Sequence, residues 1–213
     1  MATAFITFEG IDGCGKSTQL RMLASQLRLR GMDVVVTREP GGTPFGTRLR
    51  EVLLDAEEQV DPLAELLVFA ADRAQHVLGL VRPALETGHV ILSDRYADAT
   101  AAYQGAGRGF PPEVVAQVIE LATGGLKPDL TLVFDSPVAE CRERAHRRKR
   151  DGAAEMDRLD AEDLSFHARV RDGYLELAAR EPERVRVIDA SGPVEETHTL
   201  VMNLVIPFLE SKV

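Results

Sequence analysis

The stretch from Gly10 to Ser17, Gly-Ile-Asp-Gly-Cys-Gly-Lys-Ser, constrains the chain more than any other. It fits the pattern G-x-x-x-x-G-K-[ST], with the apolar run Phe5-Ile6-Thr7-Phe8 before it and a helix-like pattern from Thr18 after it. A strand, a glycine-rich loop and a helix in that order form a cradle for phosphates. The glycines let the backbone N–H groups of Gly10, Ile11, Asp12, Gly13, Cys14 and Gly15 turn inward. Lys16 places a point charge near the β and γ phosphates, the Ser17 hydroxyl can ligate Mg²⁺, and the helix N-terminus at Ser17 and Thr18 favours an anion.

Such a loop needs a sheet behind it. Short β-branched runs recur at "AFITFEG", "DVVVTREP", "HVILSDR", "DLTLVFDS" and "RVRVIDAS", each closed by polar or turn residues. Between them lie stretches of helical spacing. The clearest, Asp61 to Thr87, carries Leu63, Leu66, Leu67, Ala70, Ala74, Val77, Leu78, Val81 and Leu85 at three- and four-residue steps, and predicts one helix with these residues on its core face. Alternating strands and helices imply an α/β fold, a five-stranded parallel sheet with helices on both faces. Ligands collect at the carboxyl ends of such strands. There the chain places Glu9 to Lys16, Arg38 and Glu39, Asp94 and Arg95, and Asp135, which points to one site.

Composition narrows the function classes. The 213 residues suit one domain, and a net charge of -9 argues against an extended nucleic-acid or anionic-membrane surface. No run of about 18 apolar residues occurs, so no membrane span is expected. The N-terminus lacks a basic start and a long apolar stretch, so no signal peptide is expected. Cys14 lies within the phosphate loop, where a disulfide would block it, which points to a reducing compartment and a cytoplasmic protein.

Phosphate binding leaves the reaction open. A regulatory GTPase would need a guanine-reading Asn/Thr-Lys-x-Asp segment, but Leu126-Lys127-Pro128-Asp129 has the wrong first residue and an internal proline. Asp189-Ala190-Ser191-Gly192 follows the last strand, too late for a switch. Both read as turns. In "TREPGGT" (Thr37 to Thr43), Arg38 offers a fork of donors for a phosphate, and Pro40, Gly41 and Gly42 set a tight turn. In "SDRY" (Ser93 to Tyr96), Asp94 can hold Mg²⁺ through water and Arg95 can bridge phosphates. The same residues also suit a strand-ending turn and a surface ion pair.

Taken in order, "FEGIDGCGKST", "TREPGGT", "FAADRAQH", "SDRY", "AYQG", "PDLTLVFD" and "DRLDAEDLSFHARVRDGYLEL" resemble thymidylate kinase, a P-loop nucleoside monophosphate kinase family, over nearly the whole chain. The resemblance implies transfer of the γ-phosphate of ATP to dTMP, with Mg²⁺, by a homodimer. It places ATP on Gly10 to Thr18, Mg²⁺ at Ser17 and Asp94, and Arg95 against the phosphates of both substrates. It places Arg38 and Arg50 on the dTMP phosphate, Phe69 against thymine, Arg73 on the edge of the base, Thr100 and Gln104 in polar contact with it, and Tyr103 on the deoxyribose. The turn after "RVRVIDAS" resembles the segment beside adenine. One departure is Ala99-Thr100, where some bacterial members carry two hydroxyl residues. The alternative is a P-loop kinase for another nucleoside monophosphate.

From Cys141 to Asp160 the chain carries Arg142, Arg144, Arg147, Arg148, Arg150 and Arg158. The resemblance makes this segment, at about 141–160, a mobile lid over ATP. The phosphate loop holds no arginine, so Arg147, Arg148 and Arg150 join Lys16 and Arg95 as the catalytic candidates. A lid arginine that arrives on closure would stabilise charge in the transition state and exclude water.

Overall fold

In a computed structural model of the chain, residues 3–54, 59–150, 158–159 and 161–212 are described. The five runs form β1 (Ala4–Glu9), β2 (Val34–Arg38), β3 (Val90–Asp94), β4 (Leu130–Asp135) and β5 (Val185–Asp189). All pairs are parallel, in the order β2-β3-β1-β4-β5. β1 is central and buried throughout, so it reads as a continuous apolar run interrupted by Thr7, whose hydroxyl pairs with that of Thr131 at 2.9 Å. β2 and β5 form the edges and leave Val36 and Val187 partly in water.

Side-chain alternation along β1 and β3 sorts the core into two layers. Ile6, Phe8 and Leu92 join a large cluster with α1 (Lys16–Leu29), α8 (Leu164–Arg180) and α9 (Val194–Glu210). Phe5 and Ile91 join a smaller one with Val77, Val81 and Tyr96. Both faces of the sheet are therefore covered. The chain runs from β1 out to β2, back to β3, then across to β4, so the crossovers reverse direction around β1. The crevice at its carboxyl end is where such sheets bind ligands.

The helix expected over 61–87 is divided. Asp61 caps α3 (Pro62–His76) by accepting from Leu63 N at 2.8 Å. A π-turn follows over Val77–Val81, then a short α4 (Arg82–Glu86). Pro83 has no N–H for the carbonyl of Gly79, so the ladder widens there. The expected apolar stripe is also corrected. Leu66, Val77 and Val81 are buried, but Leu63, Leu67 and Leu78 are 51%, 53% and 69% exposed. The face of α3 turned inward is instead polar: Glu65, Asp72, Arg73 and His76 are buried with Leu66.

The remaining helices frame the crevice. They are α2 (Pro44–Leu54), α5 (Ala97–Thr100) continued by a π-helical turn over Ala101–Gly107, α6 (Pro112–Thr123) and α7 (Val138–Arg150).

Candidate active site

The loop after β1 takes its shape from its glycines. Gly10 and Gly13 have φ of 130° and 85°, which side chains adopt at a cost. A Cβ on Gly13 would lie 1.9 Å from the carbonyl oxygen of Cys141, so the loop backbone packs directly against the first turn of α7. Lys16 folds back over the loop and donates to the carbonyls of Gly10 and Ile11, both at 3.0 Å, with Asp12 3.7 Å away. Ser17 Oγ donates to Asp94 Oδ2 at 2.6 Å, so the two expected metal ligands converge.

Asp94 ends β3, and Arg95 takes φ 70°, the left-handed region. A non-glycine residue there costs about 1–3 kcal/mol and is held by its surroundings. Here the guanidinium donates to Asp12 Oδ2 and Tyr103 Oη, both at 2.9 Å, and to Tyr174 Oη at 3.2 Å. It also lies 4.8 Å from the centre of the Tyr103 ring. Burial opposes ionisation of Asp12, but Arg95 and Lys16 together hold its carboxyl well below the usual carboxylate range. Asp12 therefore ties the loop to Arg95, a role the sequence left unassigned.

Two cavities meet at this loop. The first is lined by Asp12, Arg50, Phe69, Arg73, Arg95, Thr100, Tyr103 and Gln104, with Glu39, Pro40, Tyr96, Leu54, Ala99 and Leu159. Seven of the eight residues expected around dTMP are brought together there. Arg38 is not among the lining residues; it flanks Gly41 beside Arg50 at the rim and is exposed. Arg73 is buried and heavily engaged. Its Nε donates to Glu39 Oε2 at 2.8 Å, one terminal nitrogen to Thr100 Oγ1 at 2.8 Å, the other to the Tyr96 carbonyl at 2.9 Å. Glu39 in turn meets His76 Nδ1 at 2.7 Å, and His76 Nε2 lies 2.7 Å from Thr37 Oγ1. The sequence places Glu39 with Arg38 among the polar residues at the strand ends, and its role there is to hold Arg73 and His76. Beside this network burial, then the neighbouring Glu39, pushes the Asp72 carboxyl up to about 6.

The second cavity is lined by Gly13, Cys14, Gly15, Thr18 and Gln19, by Arg144 and Arg147 of α7, and by Ala190, Gly192, Val194 and Thr197 after β5. Of the catalytic candidates in the lid, Arg147 lines it, while Arg150 is exposed and does not. The Arg148 side chain and residues 151–157 and 160 lie outside the described residues. Arg144, not among the catalytic candidates, reaches Ser136 Oγ at 2.5 Å and the Ala190 carbonyl at 3.4 Å. Arg158 is turned away from the phosphate loop and pairs with Glu65 at 2.5 Å. The Asp189 turn is a side-chain-closed bend: its Oδ1 accepts from Ser191 N and Oγ. Cys14 and Cys141 are both buried free thiols.

Glu9, at the end of β1, is fully buried and accepts from Tyr96 N and Tyr174 Oη, each at 2.7 Å. Burial, then the charge of Asp98, pushes its carboxyl from 4.5 up to about 8. The native state thus keeps a proton that the unfolded chain loses, so this group lowers stability as pH rises from about 4.5 to about 8. Glu9→Gln is expected to flatten that fall. Thermal unfolding followed by circular dichroism at a series of pH values checks it; an equally steep fall in the variant would assign the dependence elsewhere.

The sequence profile of the thymidylate kinase family matches residues 8–201. The chain is 50% identical over 204 residues to thymidylate kinase of Geotalea uraniireducens strain Rf4, covering 95% of this chain and 96% of that one. It is 51% identical over 192 residues to that of Deinococcus radiodurans, covering 90% and 91%. A crystal structure of thymidylate kinase from Ehrlichia chaffeensis superposes with a TM-score of 0.78 at 33% identity, over 96% of this chain and 98% of that chain. With the phosphate loop, the two cavities that meet at it and this likeness over nearly the full length, the chain belongs to the thymidylate kinase family.

Proposed function

We propose that the first cavity holds dTMP, the second holds ATP, and the phosphoryl group passes between them over Lys16 and Arg95. The chain is a phosphotransferase that makes dTDP from dTMP and ATP. The observation that carries the assignment of the cavities is that one loop serves both: Asp12 lines the first and Gly13 to Gly15 line the second. Phosphoryl transfer depends mainly on such positioning and on neutralising charge.

In the first cavity Phe69 stacks on thymine and Tyr103 packs on the deoxyribose. Arg50 and Arg38, flanking Gly41, meet the dTMP phosphate, with Arg95 between the two substrates. Arg73 has five N–H groups, of which three are engaged within the protein. The others face O4 of thymine, where cytosine would present a clashing donor. Ser17 and Asp94 fit Mg²⁺, which takes few protein ligands and completes its shell with phosphate oxygens and water. Among the described residues no group of three or more His, Cys, Asp and Glu forms a closed metal cage. The metal, when bound, supplies charge neutralisation on the ATP phosphates.

Residues 1–213 act as one domain with a lid at about 141–160. Val52 of α2 and Leu63 and Leu67 of α3, all exposed, are the apolar residues offered for the homodimer surface. Among the described residues no helix is long and apolar enough to cross a membrane. The two free thiols suit a reducing cytoplasm.

Coupled ADP release with a panel of nucleoside monophosphates tests the substrate reading. The expected order is dTMP, then dUMP, which loses one methyl contact, then dCMP far behind. Equal use of dCMP and dTMP would overturn it. For α7, Arg147→Ala is expected to lower kcat about tenfold or more while raising the ATP KM less, the mark of a contact made mainly in the transition state. Arg150→Ala should stay near wild type. Normal kcat in Arg144→Ala, Arg147→Ala and the triple Arg147, Arg148 and Arg150 variant would remove α7 from the transfer step.

A further inference from the structure

Gln104 is almost fully buried, lines the first cavity, and donates from Nε2 to Glu65 Oε1 at 2.8 Å. An amide can turn over and exchange its donor and acceptor ends. Here it is prevented from doing so. A carboxylate only accepts, so it fixes the NH₂ end toward itself and the Oε1 end away. Glu65 is itself held. Arg108 donates to Oε1 at 3.2 Å and to Oε2 at 2.9 Å, and Arg158 donates to Oε2 at 2.5 Å. Burial would raise the Glu65 carboxyl, but the hydrogen bonds from Arg108, Gln104 and Arg158 outweigh it and hold the group below its ordinary value. Gln104 Oε1 accepts no hydrogen bond among the described residues, and it is not one of the solvent-sealed atoms without a partner. Gln104 lines the first cavity, so the end of its amide that Glu65 does not hold is available to a ligand there.

We propose that Glu65 is a positioning residue that locks the Gln104 amide with its oxygen toward the nucleobase, so that the first cavity selects bases with a protonated ring nitrogen. Thymine and uracil carry N3–H, a donor that this oxygen accepts. Cytosine carries a bare N3, an acceptor that meets it lone pair to lone pair. This filter is separate from the one Arg73 applies at O4, because it reads a different atom of the ring. It also gives Arg108 and Arg158 a purpose: they keep the carboxylate charged and fixed, so the amide cannot find an alternative partner.

The inference rests on the assignment of dTMP to the first cavity, and wild-type preference for dTMP over dCMP tests that assignment by itself. Glu65→Gln keeps the shape but offers the arginines a carbonyl and turns an amide donor toward Gln104, which then presents its NH₂ to the base. Activity for dTMP and dUMP should fall together, by about tenfold in kcat/KM, while dCMP holds or rises, so the dTMP/dCMP ratio narrows about tenfold. Gln104→Met, which removes both ends of the amide, should narrow the ratio too. The double variant should narrow it no further than Gln104→Met does. An equal fall for all three nucleotides in Glu65→Gln would make Glu65 merely structural and overturn the proposal. Should Glu65→Gln fail to fold, an unchanged ratio in Gln104→Met overturns it on its own. A wild-type enzyme with no dTMP preference would instead remove the parent assignment.

Discussion

Lys16→Ala is expected to lower kcat by about three orders of magnitude or more, the scale seen when a preorganised charge is removed from a transition state. The ammonium group is buried, bridges the carbonyls of Gly10 and Ile11, and stands 3.7 Å from Asp12, in the loop whose Asp12 lines one cavity and whose Gly13 to Gly15 line the other. No other lysine occurs in the stretch from Gly10 to Thr18 to replace it. The fold should survive, because the loop backbone is held by its packing on Cys141 and by the helix that follows. Three measurements separate the outcomes: coupled ADP release for turnover, thermal unfolding for the fold, and calorimetric titration of dTMP for the first cavity. Turnover within about tenfold of wild type would mean the phosphates lie elsewhere.

Arg73→Ala is expected to cost about a thousandfold in kcat/KM for dTMP and to narrow the dTMP/dCMP gap, since a site that hydrogen-bonds a substrate group rejects mismatched analogues by roughly four orders of magnitude. It also removes the partner of a buried carboxylate. Breaking such a pair costs about 3–5 kcal/mol, though His76 remains to hold Glu39. Arg73→Lys resolves the ambiguity. It keeps a charge beside Glu39 and loses the fork of donors, so it should recover stability without recovering selectivity. Equal losses for dTMP and dCMP in both variants would mark Arg73 as purely structural.

The strands and the phosphate loop were legible because their signals are local. β1 to β5 fall on the five β-branched runs, and the loop follows the first of them. The gathering of Arg50, Phe69, Arg73, Thr100, Tyr103 and Gln104 around one cavity was legible through the family resemblance, not through spacing. What stayed hidden is the inward face of α3. Periodicity assigns apolar residues to the core, and so placed Leu63, Leu67 and Leu78 there. The helix buries Glu65, Asp72, Arg73 and His76 instead, which is tolerable because each finds a partner on another element. Those partners, Thr37, Glu39, Gly41 and Gln104, are distant in sequence, and no window along α3 contains them. The same holds for Arg158, which reads as a lid cation and is placed by Glu65.

The absence of a side chain at Gly13 has a mechanical consequence. With the carbonyl of Cys141 where a Cβ would sit, the first turn of α7 rests on the phosphate loop as a beam rests on a fulcrum. Arg147 stands about 9 Å farther along that beam, at the helical rise of 1.5 Å per residue. A tilt of α7 therefore swings Arg147 through a long arc over the second cavity while Cys141 barely moves. The same contact would work in the other direction: with ATP in the second cavity as proposed, a load on Gly13 would be felt at the base of α7. Gly13→Ala would wedge beam and fulcrum apart and would strain the loop as well, because φ at this position is 85°.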